Sequence, residues 1–113
     1  MELKIFWTDF AKNELQKNFK YYKKNVNLRV AKNEKRKFIE ATRRLEKQHE
    51  IGQIEPLLAG RKQKFRYLVH QTYKIIYWVN RKGERIEIID VFLKGPNYFR
   101  PDIDKVLDMR HEI

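Results

Sequence analysis

Three cations on or beside consecutive β-strands have the residue type and spacing that best suit binding a phosphate group. Arg66 opens the first strand of a predicted three-stranded meander, Lys74 lies on the second, and Lys94 follows the third. Because antiparallel neighbours lie side by side, we expect the three side chains to converge as a phosphate cradle. Such a cradle can stabilise charge developing on a phosphoryl group. The alternative, that Arg66 and Lys74 are exposed cations shielding a sheet face, stays open.

Other residues extend this candidate site. Tyr98, in the loop after the last strand, can stack on a base or take part in proton transfer. Arg61, Lys62 and Lys64 lead directly into the meander and place a basic cluster at its entrance. We predict that this cluster binds nucleic acid, because Lys and Arg side chains pair with backbone phosphates.

Composition excludes several kinds of chemistry. The 113 residues include no Cys, which removes disulfides, thiol catalysis and cysteine-ligated zinc. The 3 His are dispersed, and the sequence has no HExxH pair, no phosphate-binding glycine loop and no serine nucleophile elbow. We therefore expect neither a metal nor a cofactor.

A formal charge of +11 points to an anionic partner. Residues 12–47 alone hold 13 Lys or Arg against 4 Glu, so nucleic acid or an acidic protein is expected nearby. A basic surface that serves only solubility is the alternative. No apolar run approaches the roughly 20 residues of a membrane span and no signal peptide precedes the first strand, so we predict a cytoplasmic location.

The elements that position these side chains form one predicted domain over residues 1–113. Residues 65–93 alternate apolar and polar side chains with turn residues between, which predicts three antiparallel strands. Residues 86–93 are apolar at both parities, as in an interior strand covered on both faces. Residues 2–7 predict another strand, after which Thr8 or Asp9 can cap a helix. Gly83 in the last turn of the meander is free to take a positive φ.

Apolar stripes predict a helical hairpin before the meander. One stripe consists of Ala11, Leu15, Phe19 and Tyr22, and the second consists of Leu28, Ala31, Phe38, Thr42 and Leu45. In the connector 48–63, four apolar side chains are expected to cover the core: Ile51, Ile54, Leu57 and Leu58. A short helix is predicted after Pro101.

The order of strand, helix hairpin, meander and basic loop, with FRYLVHQTYKIIYWV and RIEIIDVF, resembles the RelE/ParE superfamily of toxins from type II toxin–antitoxin systems. The likeness covers roughly residues 2–100. It implies an α+β fold whose first strand lies beside the last, closing the sheet around a helix-packed core. It also implies a cognate antitoxin that is acidic where it meets this protein and wraps the hairpin and sheet.

The superfamily has two branches with different targets. RelE-like members act as metal-independent endoribonucleases that cut mRNA in the ribosomal A site. On this resemblance Arg66, Lys74 and Lys94 match basic site residues and Tyr98 approximates the C-terminal Tyr, whereas Leu68 stands where a further cation is needed. ParE-like members lack the full basic constellation and poison DNA gyrase. The three cations favour mRNA cleavage here, with gyrase poisoning and a nontoxic binding module as alternatives.

Overall fold

Five strands form one sheet in the computed structural model, which describes residues 1–93 and Leu107. They are β1 (Lys4–Trp7), β2 (Gln53–Ile54), β3 (Phe65–His70), β4 (Tyr73–Asn80) and β5 (Arg85–Leu93), and they lie in the order β1-β5-β4-β3-β2. Two helices, α1 (Asp9–Asn25) and α2 (Leu28–Arg43), follow β1. The α+β class and the placement of the first strand beside the last are confirmed.

Strands β3, β4 and β5 form the predicted antiparallel meander. In the β4–β5 turn the residue with a positive φ is Glu84, at 53°, and Gly83, although free to adopt one, does not. The turn is held by the Asn80 side chain, whose oxygen accepts the Gly83 N–H at 2.9 Å. This local bond holds the chain reversal, and Glu84, the next residue, adopts the left-handed conformation.

Thr8 joins the helical hairpin to the sheet. Its side chain accepts a hydrogen bond from the Ala11 N–H and so caps α1, as predicted. The same hydroxyl donates to the Ile88 carbonyl at 2.7 Å, and the residue is fully buried. Because β1 runs parallel to β5 and ends at this bond, the start of α1 is fixed over the central part of the sheet.

The two helices cover one face of the sheet. Their buried residues Ala11, Leu15 and Phe38 pack in one cluster with Ile75 and Ile88 of the sheet. Leu28, which was predicted to lie in the same apolar stripe as Phe38, is 45 % exposed. It lies in the first turn of α2, beyond the part of the helix that packs on the sheet. Among the described helices, neither is long and apolar enough to span a membrane.

Strand β5 is buried on both faces, as its composition predicts. Ile88 pairs with Tyr77 and Asp90 pairs with Ile76, so Ile89 is the extra residue of a β-bulge. Ile88 belongs to the helix-covered cluster, whereas Ile89 packs on the opposite face. That second cluster consists of Leu58, Phe65, Ile76, Ile89 and Leu107. We call the two sides the helical face and the second face.

The connector covers the core far less than predicted. Of its four apolar residues only Leu58 is buried, whereas Ile51, Ile54 and Leu57 are 44–46 % exposed. The reason is that the connector forms an edge strand, β2, and a 3-10 helix at Pro56–Leu58, both of which turn side chains to solvent. Leu107 is buried on the second face. The rest of the short helix predicted after Pro101 lies outside the described residues.

Shortening one core side chain tests this packing. Ile75 is fully buried, and Ile75→Ala should lower the free energy of unfolding by roughly 2–5 kcal/mol through lost burial and a residual cavity. Urea unfolding followed by circular dichroism measures the change. Val69→Ala is the matched control, because Val69 is 44 % exposed on the neighbouring strand and should cost under about 1 kcal/mol. Equal losses would contradict the assigned faces.

Candidate functional site

Arg66 and Lys74 lie on adjacent strands but project from opposite faces of the sheet. Arg66 pairs with Tyr77, which belongs to the helix-covered cluster. Lys74 precedes Tyr77 by three residues on β4, so alternation sends it to the second face. The predicted convergence of these two cations is therefore wrong, because the pairing register separates them by an odd number of residues. Lys94 and Tyr98 lie outside the described residues, and their roles stay predictions.

Arg66 anchors the chain segment that precedes β2. Its guanidinium donates to the carbonyl oxygens of Gly52 at 2.8 Å and Glu50 at 3.3 Å. The Gly52 N–H donates in turn to the buried Tyr77 hydroxyl at 2.9 Å. Burial raises the pKa of that hydroxyl above its usual value, which keeps it a neutral acceptor. These bonds assign Arg66 a structural role and occupy part of its guanidinium.

Lys74 is paired with a buried carboxylate. Its Nζ lies 3.0 Å from Oε2 and 3.3 Å from Oε1 of Glu55, whose side chain is fully buried. The same ammonium sits 4.2 Å from the centre of the Tyr67 ring. Glu55 also accepts the Leu57 N–H at 3.3 Å, so it caps the 3-10 helix. A cation with these partners is neutralised and held against the sheet.

A basic groove lies at the other end of β4. It encloses about 580 Å³ between the segment before β3 and the β4–β5 turn. Its cations and its aromatic side chain are Lys62, Lys64, Arg66, Arg81, Lys82 and Trp78. We use "basic groove" for this set of residues.

The basic groove contains part of the predicted nucleic-acid cluster. Lys62 and Lys64 line it, whereas Arg61 does not. Arg81, Lys82 and Trp78 were not predicted from the sequence to join this cluster. Antiparallel pairing of Phe65 with Trp78 brings these residues to the start of β3, so a correct register would have found them.

One carboxylate shares the groove with the cations. Glu50 accepts a hydrogen bond from Arg81 at 2.9 Å, and that bond, followed by the charge of Arg66, lowers the pKa of Glu50. Glu50 therefore stays ionised and balances these two guanidinium groups in part. In the described part of the chain, Lys62, Lys64 and Lys82 form no ion pair, and all three are exposed.

The histidines do not assemble a reactive centre within residues 1–93. His70 ends β3 and packs edge-on against Phe38, with ring centres 4.6 Å apart. Burial lowers the pKa of His70, so it is neutral near pH 7. Across the described residues no group of three or more His, Asp or Glu side chains is placed to hold a metal ion.

Comparisons with known proteins agree with this fold. A sequence model of the family described as "ParE toxin of type II toxin-antitoxin system, parDE" matches residues 5–95. A solved chain from the structure titled "Chromosomal ParDE TA system from P. aeruginosa" superimposes with a TM-score of 0.67 at 17 % identity, covering 83 % of this chain and 98 % of that one. No curated protein sequence matches.

The family match, together with the α+β fold and its five-stranded sheet, identifies the chain as a member of the RelE/ParE superfamily. Since the family model spans most of the sequence, the chain belongs to the ParE toxin family of type II toxin–antitoxin systems.

The Lys74–Glu55 pair should behave as a structural ion pair. Lys74→Met leaves the Glu55 carboxylate buried without its cation and should lower the free energy of unfolding by about 3 kcal/mol. The double variant Glu55→Gln/Lys74→Met should recover most of that loss, because no charge is then buried. Urea unfolding of the four proteins in the cycle measures the coupling. Lys12→Met, at an exposed α1 position, is the control and should change stability by under about 0.5 kcal/mol. If Lys74→Met were as stable as the unchanged chain, the structural role assigned to the Lys74–Glu55 ion pair would be wrong.

Gly52 should tolerate no side chain. A Cβ there would lie 2.5 Å from the Tyr67 carbonyl oxygen and 2.7 Å from the Tyr77 ring, neither of which can retreat without moving the sheet. Gly52→Ala should therefore lower the free energy of unfolding by roughly 1–3 kcal/mol. Gly60→Ala is the matched control, because nothing lies within 4 Å of its added Cβ. Thermal unfolding compares the two variants, and equal midpoints would contradict this packing.

Proposed function

We propose that this chain is the toxin of a type II pair and arrests growth by poisoning DNA gyrase, under the control of an acidic antitoxin. The observation that carries the choice of target is the Lys74–Glu55 ion pair. Cleavage of mRNA without a metal needs cations free to meet a phosphate. Here the cation on the central strand is held by a buried carboxylate, which supports the ParE-like alternative over the RelE-like one.

The other described site residues support the same choice. Arg66 emerges on the opposite face from Lys74, and its guanidinium already contacts two carbonyl oxygens. Leu68, where the RelE-like pattern has a further cation, is 5 % exposed and belongs to the core. A phosphate on either face would therefore meet at most one of the two described cations. Gyrase poisoning places no such demand on them.

The helical hairpin is the proposed docking surface for the antitoxin. A furrow of about 520 Å³ runs along it, lined by the partly exposed side chains of Phe19 and Ile39. Four cations flank these apolar groups, against one carboxylate, that of Glu40: Lys32, Lys35, Arg36 and Arg43. An amphipathic acidic segment fits this combination, because its apolar side chains cover the furrow while its carboxylates meet the rim. Both partners would act in the cytoplasm, where gyrase works.

Expression in bacteria tests the target. We expect growth arrest with an SOS response, DNA double-strand breaks and full-length message in primer extension. Purified gyrase incubated with the chain should accumulate covalent gyrase–DNA complexes. Co-expression of a small acidic protein encoded in an adjacent reading frame should restore growth.

The cleavage hypothesis makes a contrary set of predictions. It requires ribosome-dependent cuts in message, and Tyr98→Phe, which removes one hydroxyl, should then lower cleavage on the order of 10²-fold. Under gyrase poisoning the same variant should arrest growth as well as the unchanged chain. Cut message without gyrase complexes would overturn the proposal, and so would harmless expression, which is expected of a nontoxic binding module.

A further inference from the structure

We infer that the basic groove is a binding site for single-stranded nucleic acid, with Lys62, Lys64 and Lys82 on the phosphates and Trp78 against a base. This site lies at the opposite end of β4 from Lys74 and involves none of the residues matched to the nuclease pattern except Arg66. The inference does not depend on the toxin's target. It rests on the composition of the groove, on its rigidity and on its shape.

The cations stand on two banks of a fixed structure. Lys62 and Lys64 lie just before β3, and Lys82 lies in the β4–β5 turn. Pairing of Phe65 with Trp78, and of Asn80 with Arg85, fixes the distance between the banks. A backbone that runs between them would meet positive charge on both sides, which suits a chain with one phosphate per nucleotide.

These three lysines are available to a ligand. Arg66 and Arg81 are engaged with Glu50, at 3.8 Å and 2.9 Å, whereas the lysines are exposed and form no ion pair within the described residues. A ligand can therefore bind these lysines without first breaking an ion pair. Glu50 stays ionised, with Lys64 among the charges that lower its pKa, and it repels an anion from its own side of the groove. The phosphates are expected between the bank of Lys62 and Lys64 and the bank of Lys82.

Trp78 supplies an apolar surface among these charges. Its ring is half-buried and packs beside Phe65, with ring centres 6.4 Å apart, so its position is set by the second-face cluster. A fixed aromatic ring between cations is the combination on which single-strand binding proteins stack bases. The groove volume of about 580 Å³ also falls in the usual range for ligand sites, about 300–1,000 Å³.

Shape and chemistry favour a single strand over the two competing ligands. The site is concave, whereas duplex readout uses an element that protrudes into a groove of the DNA. A duplex would also keep its bases stacked on each other and away from Trp78. An acidic peptide would satisfy the lysines but has no base to place on the indole.

Binding of a fluorescent oligothymidylate to the purified chain tests the inference. Anisotropy should report binding that weakens as salt rises. The triple variant Lys62→Gln/Lys64→Gln/Lys82→Gln should bind at least about tenfold more weakly at 0.1 M salt, and the slope of log affinity against log salt should fall by about 2. The matched control, Lys12→Gln/Lys20→Gln/Lys23→Gln, removes the same charge from α1 and should bind like the unchanged chain.

Trp78 gives a second readout that a general electrostatic effect would not produce. The sequence has 2 Trp, so Trp7→Phe leaves Trp78 as the only indole. Its fluorescence should be quenched by oligothymidylate, and the quenching should disappear in the groove variant. Equal weakening in both triple variants, tighter binding of a duplex of the same length, binding of poly-glutamate with equal affinity, or binding without quenching would each overturn the assignment.

Discussion

Strand β5 is paired along both edges and buried on both faces, and the position of the other described elements follows from this double burial. The helical hairpin covers one face and is tied to it by the bond from the Thr8 hydroxyl to the Ile88 carbonyl. On the other face Ile89 packs with Phe65 and Ile76 of the sheet and is covered by Leu58 and Leu107. Since β4 must pair with β5 in the register that keeps both clusters closed, the core decides which face each cation of the meander reaches.

Two glutamates near β2 divide the basic side chains into structural and available ones. Glu55 is fully buried, and because an isolated charge there is costly, it holds Lys74 in place. Glu50 is exposed, and its carboxylate pairs with the guanidinium groups of Arg66 and Arg81. What remains unpaired among the described groove residues is a set of lysines facing solvent. The role of a cation in this fold is thus set by the burial of the carboxylate nearest to it.

Much of the fold could be predicted because alternation and helical periodicity report directly on burial. The five elements of the predicted hairpin and meander, and the first strand beside the last, all appear. Register could not be read in this way, which is why Arg66 and Lys74 were expected on one face. Nor does periodicity show which apolar residues lie beyond the covered area, as Leu28 and Leu57 do. The bulge at Ile89 is hidden because apolar residues occupy both parities of β5.

The parallel pairing of β1 with β5 also affects how the chain is made. The Thr8–Ile88 bond joins residues 80 positions apart, so the first strand leaves the ribosome long before its partner exists. Contacts of such long range form late, because the intervening chain must be ordered first. Until β5 emerges, the nascent chain carries an unpaired strand and an uncovered hairpin, surfaces that chaperones recognise. The protein is therefore an open polypeptide without its complete sheet until most of the chain has been synthesised.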